Sequence, residues 1–503
     1  MDELNGWGHD HATPQQQQQV TCQIVHQAFD QLESEIVQAV EVFIRNPISP
    51  SSFYTFEIAL IALMRSLGRQ ILQATIQSLE PDDPQLLPRD LYEQGSGYRR
   101  RNEKTRNQSL LTRFGNVTLW RRGYRSWERH EKTIFPLEMM LGFTEGVSPA
   151  LLSFLGQAIS SAGMSQAATI TLLREECDVK IGVKRLRRCT EVFSDSMSEL
   201  RQSCQVDALL EALRTADQSS GNRKPVLSVG RDGITLREYR HRFFEVATTG
   251  TVSVYDRAGK RLATIYLAWP PELGQATMDT MMTALLTELL SRWNGSLPRL
   301  AYVTDSGSNE VGYFEQVLRR MKHPNTGKCL NWTRVADFYH VSERIWAMAD
   351  ALFPKNQKQQ SIAWARRMLK NLKKPNGASR VLHSAASLYH RRTLGKTRTE
   401  DFWKAYRYLQ NRTQHLRYSE YKNNHIPLGS GVTEAACKTI FTQRLKLSGM
   451  RWSFEGAKRI LTLRSILLSG TWDTTFANYV SSITPTQLRP YTSNTTKTLQ
   501  NAA

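Results

Sequence analysis

The sequence predicts a mixed α+β protein with several domains, and three observations lead to this class. Amphipathic helical patterns dominate residues 20–79, where apolar side chains recur every three or four positions. Alternating strand patterns dominate residues 224–270. From residue 278 onwards, helical and strand patterns alternate, which is typical of a sheet joined by crossover helices. With 503 residues, the chain is long enough to build more than one hydrophobic core.

The chain is strongly basic. It has 66 Lys and Arg residues against 46 Asp and Glu, for a net charge of +20. Such an excess favours a nucleic-acid partner, although a ribosome-associated or merely basic protein would also show it. The six cysteines form no CxxC pair, which argues against a zinc ribbon or a disulfide framework. The polar N-terminus and short apolar runs predict a cytoplasmic protein with no signal peptide and no membrane span.

The N-terminal part of the chain predicts a tail followed by a helical hairpin. Residues 1–19 are polar, end in a glutamine tract, and are expected to be disordered. Residues 20–88 contain two amphipathic helices and a Pro- and Asp-rich linker, and the sequence NPISPSS separates the helices. Their apolar faces could pack on another subunit or on the same chain, and the sequence leaves both alternatives open.

Residues 89–147 predict a basic β-hairpin region. Gly115 and Asn116 lie between two alternating runs, which is a signal for a two-residue turn. Arginines and aromatic residues interleave along this segment, a composition suited to binding phosphates and stacking on bases. The candidate DNA contacts are Arg99, Arg100 and Arg101. A solvated basic hairpin remains the alternative.

Residues 148–222 predict a helical region that begins with three short helices. Pro149 opens the first helix, Ser165 can cap the second, and Gly182 precedes the third over residues 183–193. A helix-turn-helix with this third segment as recognition helix would explain why basic residues crowd its start. The candidate DNA contacts there are Lys184, Arg185 and Arg188. A plain helical linker explains the pattern nearly as well.

Residues 223–353 predict an α/β core that carries its strands first. Three successive strand patterns end at residue 270 and are followed by a helix over residues 278–293. The remaining predicted elements are a strand (300–307), a helix (309–321), a strand (332–340) and a helix (342–352). Three strands followed by alternating helix and strand is the order of a ribonuclease H-like α/β core.

Residues 354–424 predict a basic helical insertion in this core. From Pro354 to Thr399 the chain has twelve Lys and Arg residues and no acidic residue. Neutralising phosphates explains this better than a solvated helix face, and it predicts steep salt dependence of binding. The candidate DNA contacts are Arg366, Arg367, Lys373 and Lys374. Residues 425–475 then return to the core with a helix that carries Glu434, and residues 476–503 form a C-terminal tail.

Three acidic residues at particular elements form the candidate catalytic site. Asp232 lies in the first predicted strand, Asp305 at the end of the fourth, and Glu434 at a helix start. Phosphodiester chemistry can use two Mg²⁺ or Mn²⁺ ions about 3.5–4 Å apart, and these ions need anionic oxygen ligands. Each acid also has a simpler explanation. Asp232 could begin a hairpin turn, Asp305 could form an Asx turn or a helix cap, and Glu434 could offset its helix dipole.

The segment HIPLGSGVTEAACKTIFTQRLKLSGMRWS, within residues 411–470, resembles the C-terminal signature of DDE insertion-sequence transposases of the Kra type. The upstream sequences SVGRDGI, VTDSG and ADFYHVSERIW resemble other core motifs of that group, in the same order. The resemblance covers residues 224–473. It implies a ribonuclease H-like fold in which Asp232, Asp305 and Glu434 are the catalytic residues and hold two Mg²⁺ or Mn²⁺ ions.

The resemblance also extends to residues beside this triad. Asp337 and His340 match a D-x-x-H motif found between the second Asp and the Glu of related transposases. A role near the metal or the DNA and a structural role at a strand end both remain open. Basic residues that follow Glu434 could hold the DNA strand being cut, and these are Lys438, Arg444, Lys446 and Arg451.

The function implied is DNA transposition. A phosphodiester at each end of a mobile element would be hydrolysed, and the freed 3′-OH would attack target DNA in line. The implied partners are double-stranded DNA and at least one further copy of the chain, in a nucleoid-associated cytoplasmic location. A structure-selective nuclease on the same fold and a transposase-derived DNA-binding regulator are the alternatives.

Overall fold

The computed structural model describes residues 14–93, 95–128, 132–237, 244–305, 307–483 and 488–490. The chain is a mixed α+β protein, as predicted, and it divides into two compact units. The first unit comprises residues 1–159, 164–193 and 476–503, and the second comprises 160–163 and 194–475. The disorder predicted for residues 1–13 lies outside the described residues.

The elements up to residue 222 are mainly helices with one group of strands between them. Among the described residues, none of the helices is long and apolar enough to cross a membrane. The elements are α1 (Pro14–Arg45), α2 (Pro50–Ser78), β1 (Asp90–Glu93), β2 (Ser96–Thr112), β3 (Gly115–Ser126), α3 (Pro136–Met140), α4 (Pro149–Ser160), α5 (Gln166–Cys177) and α6 (Val183–Gln218).

The elements after residue 222 begin with strands and end with helices. They are β4 (Val226–Arg237), β5 (Phe244–Tyr255), β6 (Arg261–Trp269), α7 (Ala276–Arg292), β7 (Arg299–Thr304), α8 (Ser308–Gln316), β8 (Trp332–Ala336), α9 (Phe338–Leu352), α10 (Lys358–Leu372), α11 (Gly377–His390), α12 (Lys396–Gln410), α13 (Tyr418–Asn423), α14 (Gly431–Cys437), α15 (Phe454–Leu468), α16 (Trp472–Ser482) and β9 (Arg489–Pro490). A turn of π-helix, Lys438–Thr442, follows α14 directly.

In the first unit, α1 and α2 form the predicted helical hairpin. The glutamine tract was predicted to be disordered, but residues 15–19 lie inside α1. Ser49 starts α2 with a capping box, because its hydroxyl accepts from the Ser52 amide and the Ser52 hydroxyl accepts from the Ser49 amide. The proline- and serine-rich break therefore separates the helices as the sequence indicated.

The sheet of the first unit has the strand order β3-β2-β1-β9. The β2–β3 hairpin is confirmed, but its turn was placed wrongly. Thr112 pairs with Gly115, so Arg113 and Phe114 form the two-residue turn, and Gly115 has a positive φ of 104° just after it. The predicted C-terminal tail is also partly ordered, because β9 pairs with β1.

The prediction of a short third helix beginning at residue 183 is wrong about the length of that helix. Helix α6 has 36 residues and continues without a break to Gln218. Its first part belongs to the first unit, and its second part packs through Val206, Leu209 and Leu213 in the core of the second unit. The separate helix proposed for residues 183–193 is therefore the start of a long helix.

The second unit is built on a five-stranded sheet with the order β6-β5-β4-β7-β8. Strands β4, β5 and β6 are antiparallel neighbours, whereas β7 and β8 run parallel to β4. Asp232 and Gly233 lie within the continuous strand β4 and pair with Thr249 and Thr248. The alternative that they form a hairpin turn is therefore excluded.

Two hydrophobic cores stabilise this sheet. One contains the second part of α6 together with α7 and α8. The other is formed by α9 to α13 and includes Trp364 of α10 and Phe402 of α12, so the predicted insertion is helical. Tyrosines from it reach the sheet, because the Tyr418 hydroxyl donates to the Ala336 carbonyl at 2.7 Å and the Tyr408 hydroxyl donates to the Asp305 carbonyl at 3.1 Å.

The boundary between β8 and α9 differs from the prediction. The strand was predicted to reach His340, but it ends at Ala336 and the helix begins at Phe338. The physical reason is a helix cap, because the Asp337 carboxylate accepts a hydrogen bond from the His340 amide at 2.8 Å. Asp337 and His340 therefore belong to the first turn of a helix and not to a strand.

Candidate active site

Three aspartates lie level with one another on adjacent parallel strands, Asp232 within β4 and Asp305 and Asp337 directly after the ends of β7 and β8. Val229 of β4 pairs with Tyr302 of β7, and the same register continued by three residues brings Asp232 level with Asp305. In the same way Thr304 pairs with Ala336, and one further residue brings Asp305 level with Asp337. Neighbouring strands lie about 4.8 Å apart, and ligands of α/β sheets bind at this edge.

Helix α14 brings Glu434 to the same edge by crossing β4 closely. A Cβ atom on Gly230 would overlap the Thr433 side chain, so only glycine allows this approach. The Thr433 hydroxyl is also hydrogen-bonded to the Thr251 hydroxyl of β5 at 2.7 Å. Residues two apart share a face of a strand, so Asp232 lies on the face of β4 that α14 covers.

The electrostatics of Asp232 support this grouping. Burial raises the pKa of Asp232 above its ordinary value, and the nearby carboxylates of Asp305 and Glu434 raise it further. Hydrogen bonds from the Gly233 amide, at 2.7 Å, and from the Cys437 thiol oppose this rise. The carboxylates of Asp305 and Glu434 are therefore both close enough to Asp232 for their charges to act on it.

Asp305 is also part of a local turn, as the simpler explanation anticipated. Its carboxylate accepts from the Gly307 amide at 3.0 Å, just before α8 begins. This bond occupies one lone pair of one oxygen. The Asx turn therefore does not exclude a second role for the Asp305 side chain, because a carboxylate has about four acceptor positions.

Glu310 is an acidic residue of this site that the sequence analysis missed. It lies in the first turn of α8 and is 9% exposed. Burial raises the pKa of Glu310, and the carboxylates of Asp305 and Asp232 add to the effect. An acid in the first turn of a helix is common for its favourable dipole interaction, so the sequence alone gave no reason to single it out.

Asp337, His340 and Glu434 form a second, tighter group. One ligand atom from each lies within 4.8 Å of the other two. The Ser430 hydroxyl joins the two acids, at 2.8 Å from an oxygen of Asp337 and 2.8 Å from one of Glu434. The His340 Nε2 atom lies 3.6 Å from Glu434 Oε1. Among the described residues, Asp232 and Asp305 do not join Glu434 in a group this tight.

The hydrogen bonds of Asp337 indicate that this member of the Asp337, His340 and Glu434 group has a structural role. Its carboxylate is fully buried and accepts from the amides of His340 and Ser430 and from the Ser430 hydroxyl. These donors fix the start of α9 and the approach to α14. Three of the roughly four acceptor positions of this carboxylate are therefore occupied, and we interpret Asp337 as a residue that positions Ser430 and Glu434.

The donor set suits a hard divalent cation. Asp232, Asp305, Glu310 and Glu434 offer only carboxylate oxygens, which Mg²⁺ and Mn²⁺ prefer. A dication among them would favour their charged forms and so oppose the burial and the mutual repulsion that raise the pKa of Asp232 and Glu310. These four residues could therefore hold metal ions, with Asp337 and Ser430 orienting Glu434 from behind.

The Lys and Arg residues of the second unit that are predicted to contact DNA differ in solvent exposure. Lys438, Lys446 and Arg451 are exposed, as are the four candidates of the insertion, Arg366, Arg367, Lys373 and Lys374. Arg444, in contrast, is 1% exposed and lies over the Trp452 ring at 4.9 Å. Its assignment to DNA binding is wrong for this conformation, because a buried guanidinium that packs on a tryptophan cannot contact a phosphate outside.

Some of the Arg residues of the first unit that are predicted to contact DNA form hydrogen bonds or ion pairs within that unit. Arg185 donates to the carbonyls of Glu145 and Ser109, and Arg188 donates to the Glu145 carboxylate at 2.7 Å. Arg99 pairs with Asp90 in the same way, and Arg100 bonds a backbone carbonyl. Lys184 and Arg101 are exposed.

The aromatic side chains in and beside the β2–β3 hairpin, which are predicted to stack on bases, differ in solvent exposure. Tyr98 and Tyr124 are buried in the core of the first unit. Phe114, Trp120 and Trp127 are each more than 40% exposed. Stacking on bases is therefore open only to these three.

Comparison of the sequence with profiles of known protein families gives no match, and comparison with functionally characterised proteins gives none either. The chemistry of the site must therefore be inferred from its own side chains. These are four carboxylates at one sheet edge, a serine and a histidine that contact one of them, and exposed cations in the same unit.

Proposed function

We propose that the protein is a DDE-type DNA transposase with a ribonuclease H-like core. The observation that carries the proposal is the convergence of Asp232, Asp305 and Glu434, which come from two adjacent strands and one helix. Three antiparallel strands followed by two parallel ones, with helices between, support the predicted core. This grouping opposes stability, because burial and, to a smaller extent, the nearby carboxylates raise the pKa of Asp232 above its ordinary value.

Each side chain at this edge of the sheet would have a separate role. Asp232 and Asp305 would supply fixed oxygen ligands, because strands hold side chains more rigidly than loops. Glu434 would complete the ligand set from α14. Two bound Mg²⁺ or Mn²⁺ ions supply Lewis-acid activation of the attacking oxygen and stabilisation of the leaving oxygen. Lys438 is exposed one turn beyond Glu434 and would bind a phosphate of the strand being cut.

The basic insertion supports DNA as the substrate. None of the ion pairs found among the described residues involves a Lys or Arg between positions 354 and 399. Several of these cations are exposed on and after α10, within reach of solvent and without an acidic partner nearby in sequence. Exposed cations without an ion-pair partner at this density favour a polyanionic partner, since releasing its counterions provides the driving force.

The test measures cutting and joining in one reaction. Purified protein is incubated with Mg²⁺, a labelled DNA end taken from beside its own gene, and a target plasmid. The expected products are a cut end and a plasmid joined to it. The conservative variants Asp232→Asn, Asp305→Asn and Glu434→Gln should each lose at least about a hundredfold in both steps.

The control variant is Glu315→Gln, which removes a partly exposed acid of the same unit that pairs with Arg319. It should keep full activity. Cutting without joined products would indicate a structure-selective nuclease instead of a transposase. Sequence-specific binding that Asp232→Asn leaves unchanged, together with no metal-dependent cutting, would indicate a DNA-binding regulator.

A further inference from the structure

The helical hairpin of the first unit carries an apolar face that its own hairpin does not cover. The inner contact between α1 and α2 uses Ala28, Leu32 and Leu67. Among the described residues, ten large apolar side chains of α1 and α2 are at least 36% exposed, and three of them are Val42, Phe53 and Met64. The other seven, between 36% and 73% exposed, are Phe29, Val37, Val40, Ile44, Tyr54, Ile58 and Ile61. A soluble helix normally keeps such residues on its core side, so these require another explanation.

The helical periodicity puts these side chains on one side of the hairpin. In α1, Val37, Val40 and Ile44 recur at intervals of three and four, about 130° round the helix from the inner contact. In α2, Tyr54, Ile58 and Ile61 recur in the same way, about 150° from it. Viewed along each helix from its N-terminus, both stripes are displaced from the inner contact in the same rotational sense. Because the two helices are antiparallel, this displacement places both stripes on the same side of the hairpin.

The size of this face matches a protein–protein contact. Its seven side chains leave on the order of 600 Å² of surface exposed, at the upper end of the largest apolar patch on a typical monomer. A stable interface takes about 800 Å² from each partner, an area that the face reaches once its polar neighbours are included. The base of the hairpin is already occupied, since Gln73 and Gln77 of α2 bond the backbone of β3.

We propose that this face binds the same face of a second copy of the chain, so that two hairpins form a four-helix bundle. A twofold axis along the hairpin would place α1 of one copy against α2 of the other. Val37 and Ile58 then meet, because each lies eight residues from the tip end of its helix. This arrangement also separates the two copies of α1, which carries four acids and one arginine.

The first experiment measures the mass of the full chain by analytical ultracentrifugation over several decades of protein concentration. The wild type should be a dimer. The double variant Val37→Glu, Ile58→Glu should weaken association by at least about a hundredfold, because it buries unpaired carboxylates. The control Leu273→Glu places the same charge at a side chain 86% exposed in the second unit and should change nothing. Circular dichroism checks that the variant keeps its helices.

The second experiment tests the pairing of the helices. In a background without the exposed Cys22 and Cys329, the single variants Val37→Cys and Ile58→Cys are mixed and oxidised. A disulfide between the two different chains is expected. A wild type that stays monomeric, a dimer that survives the double glutamate variant, or a mass that grows beyond two copies would each overturn the proposal. None of these results depends on DNA or metal, so the proposed catalytic function is tested separately.

Discussion

Replacing Gly230 by alanine should disturb the site through a single methyl group. The added Cβ would overlap Thr433 Oγ1 and lie 2.9 Å from Thr251 Oγ1. The two hydroxyls bond each other at 2.7 Å, so neither can rotate away without breaking that bond. The strand is fixed between β5 and β7, and therefore α14 has to move outward.

The magnitude of the effect follows from this geometry. Overpacking of a tight contact costs about 1–3 kcal/mol, and loss of the buried hydroxyl pair costs about 1 kcal/mol. We expect Gly230→Ala to lower the free energy of unfolding of the second unit by about 2–4 kcal/mol. Because Glu434 follows Thr433 directly, a shift of α14 by a fraction of an ångström should also lower metal-dependent cleavage by roughly a hundredfold.

The assay is urea unfolding followed by circular dichroism for Gly230→Ala, Thr433→Ala and the double variant. Removing the Thr433 hydroxyl makes room for the new methyl group, so the double variant should be less destabilised than the sum of the single variants by about 1 kcal/mol.

The matched control is Gly312→Ala in α8, where an added Cβ meets no atom within 4 Å. There the substitution should stabilise the helix by up to about 1 kcal/mol. If Gly230→Ala behaves like this control, or if the effects of Gly230→Ala and Thr433→Ala simply add, the close approach of α14 does not position the site.

Two further predictions concern charge. Burial, assisted by nearby Arg334, lowers the pKa of His415 from 6.5 to about 4. As the pH falls from 6.5 towards 4, His415 therefore takes up a proton in the unfolded chain before it does so in the folded chain. The folded state loses stability over this pH range as a result. His415→Phe should therefore reduce the drop in urea midpoint between neutral pH and about pH 5, and an unchanged drop would contradict the burial argument. The double variant Arg366→Gln, Arg367→Gln should lower the slope of log affinity against log salt by about 1.8 in DNA-binding titrations. Arg292→Gln, which removes an arginine already paired with acids, should leave the slope unchanged, and equal slopes for all three proteins would exclude the insertion as a DNA contact.

Much of the fold of the second unit could be predicted from local sequence patterns. The strands β4 to β7 and the helix α7 were placed to within a few residues, because apolar side chains alternate or recur with clear periods there. The length of α6 was missed although its apolar pattern continues through Met197, Cys204 and Leu213. The pairing of β9 with β1 had no local signal, because a two-residue strand is defined only by its partner.

The sequence singled out Asp232, Asp305 and Glu434 as candidate site residues but not how they are arranged. Asp232 and Asp305 are 73 residues apart, and this spacing acquires meaning only once β7 is known to be the parallel neighbour of β4. The role of Asp337 depended on where β8 ends, which strand periodicity alone left four residues too late. Glu310 needed the fold, because only the start of α8 beside Asp305 brings it to the same edge.

The distribution of hydrogen bonds explains how such a site can persist in a folded protein. Asp337 is fully buried, but three donors compensate its charge, so it stabilises the start of α9 and costs little. Asp232 has two donors and two repelling neighbours, and burial raises its pKa. The protein thus satisfies the acid that positions α14 and leaves Asp232 under electrostatic strain. We expect a cation bound beside Asp232 to relieve this effect, because it would favour the charged form of the carboxylate.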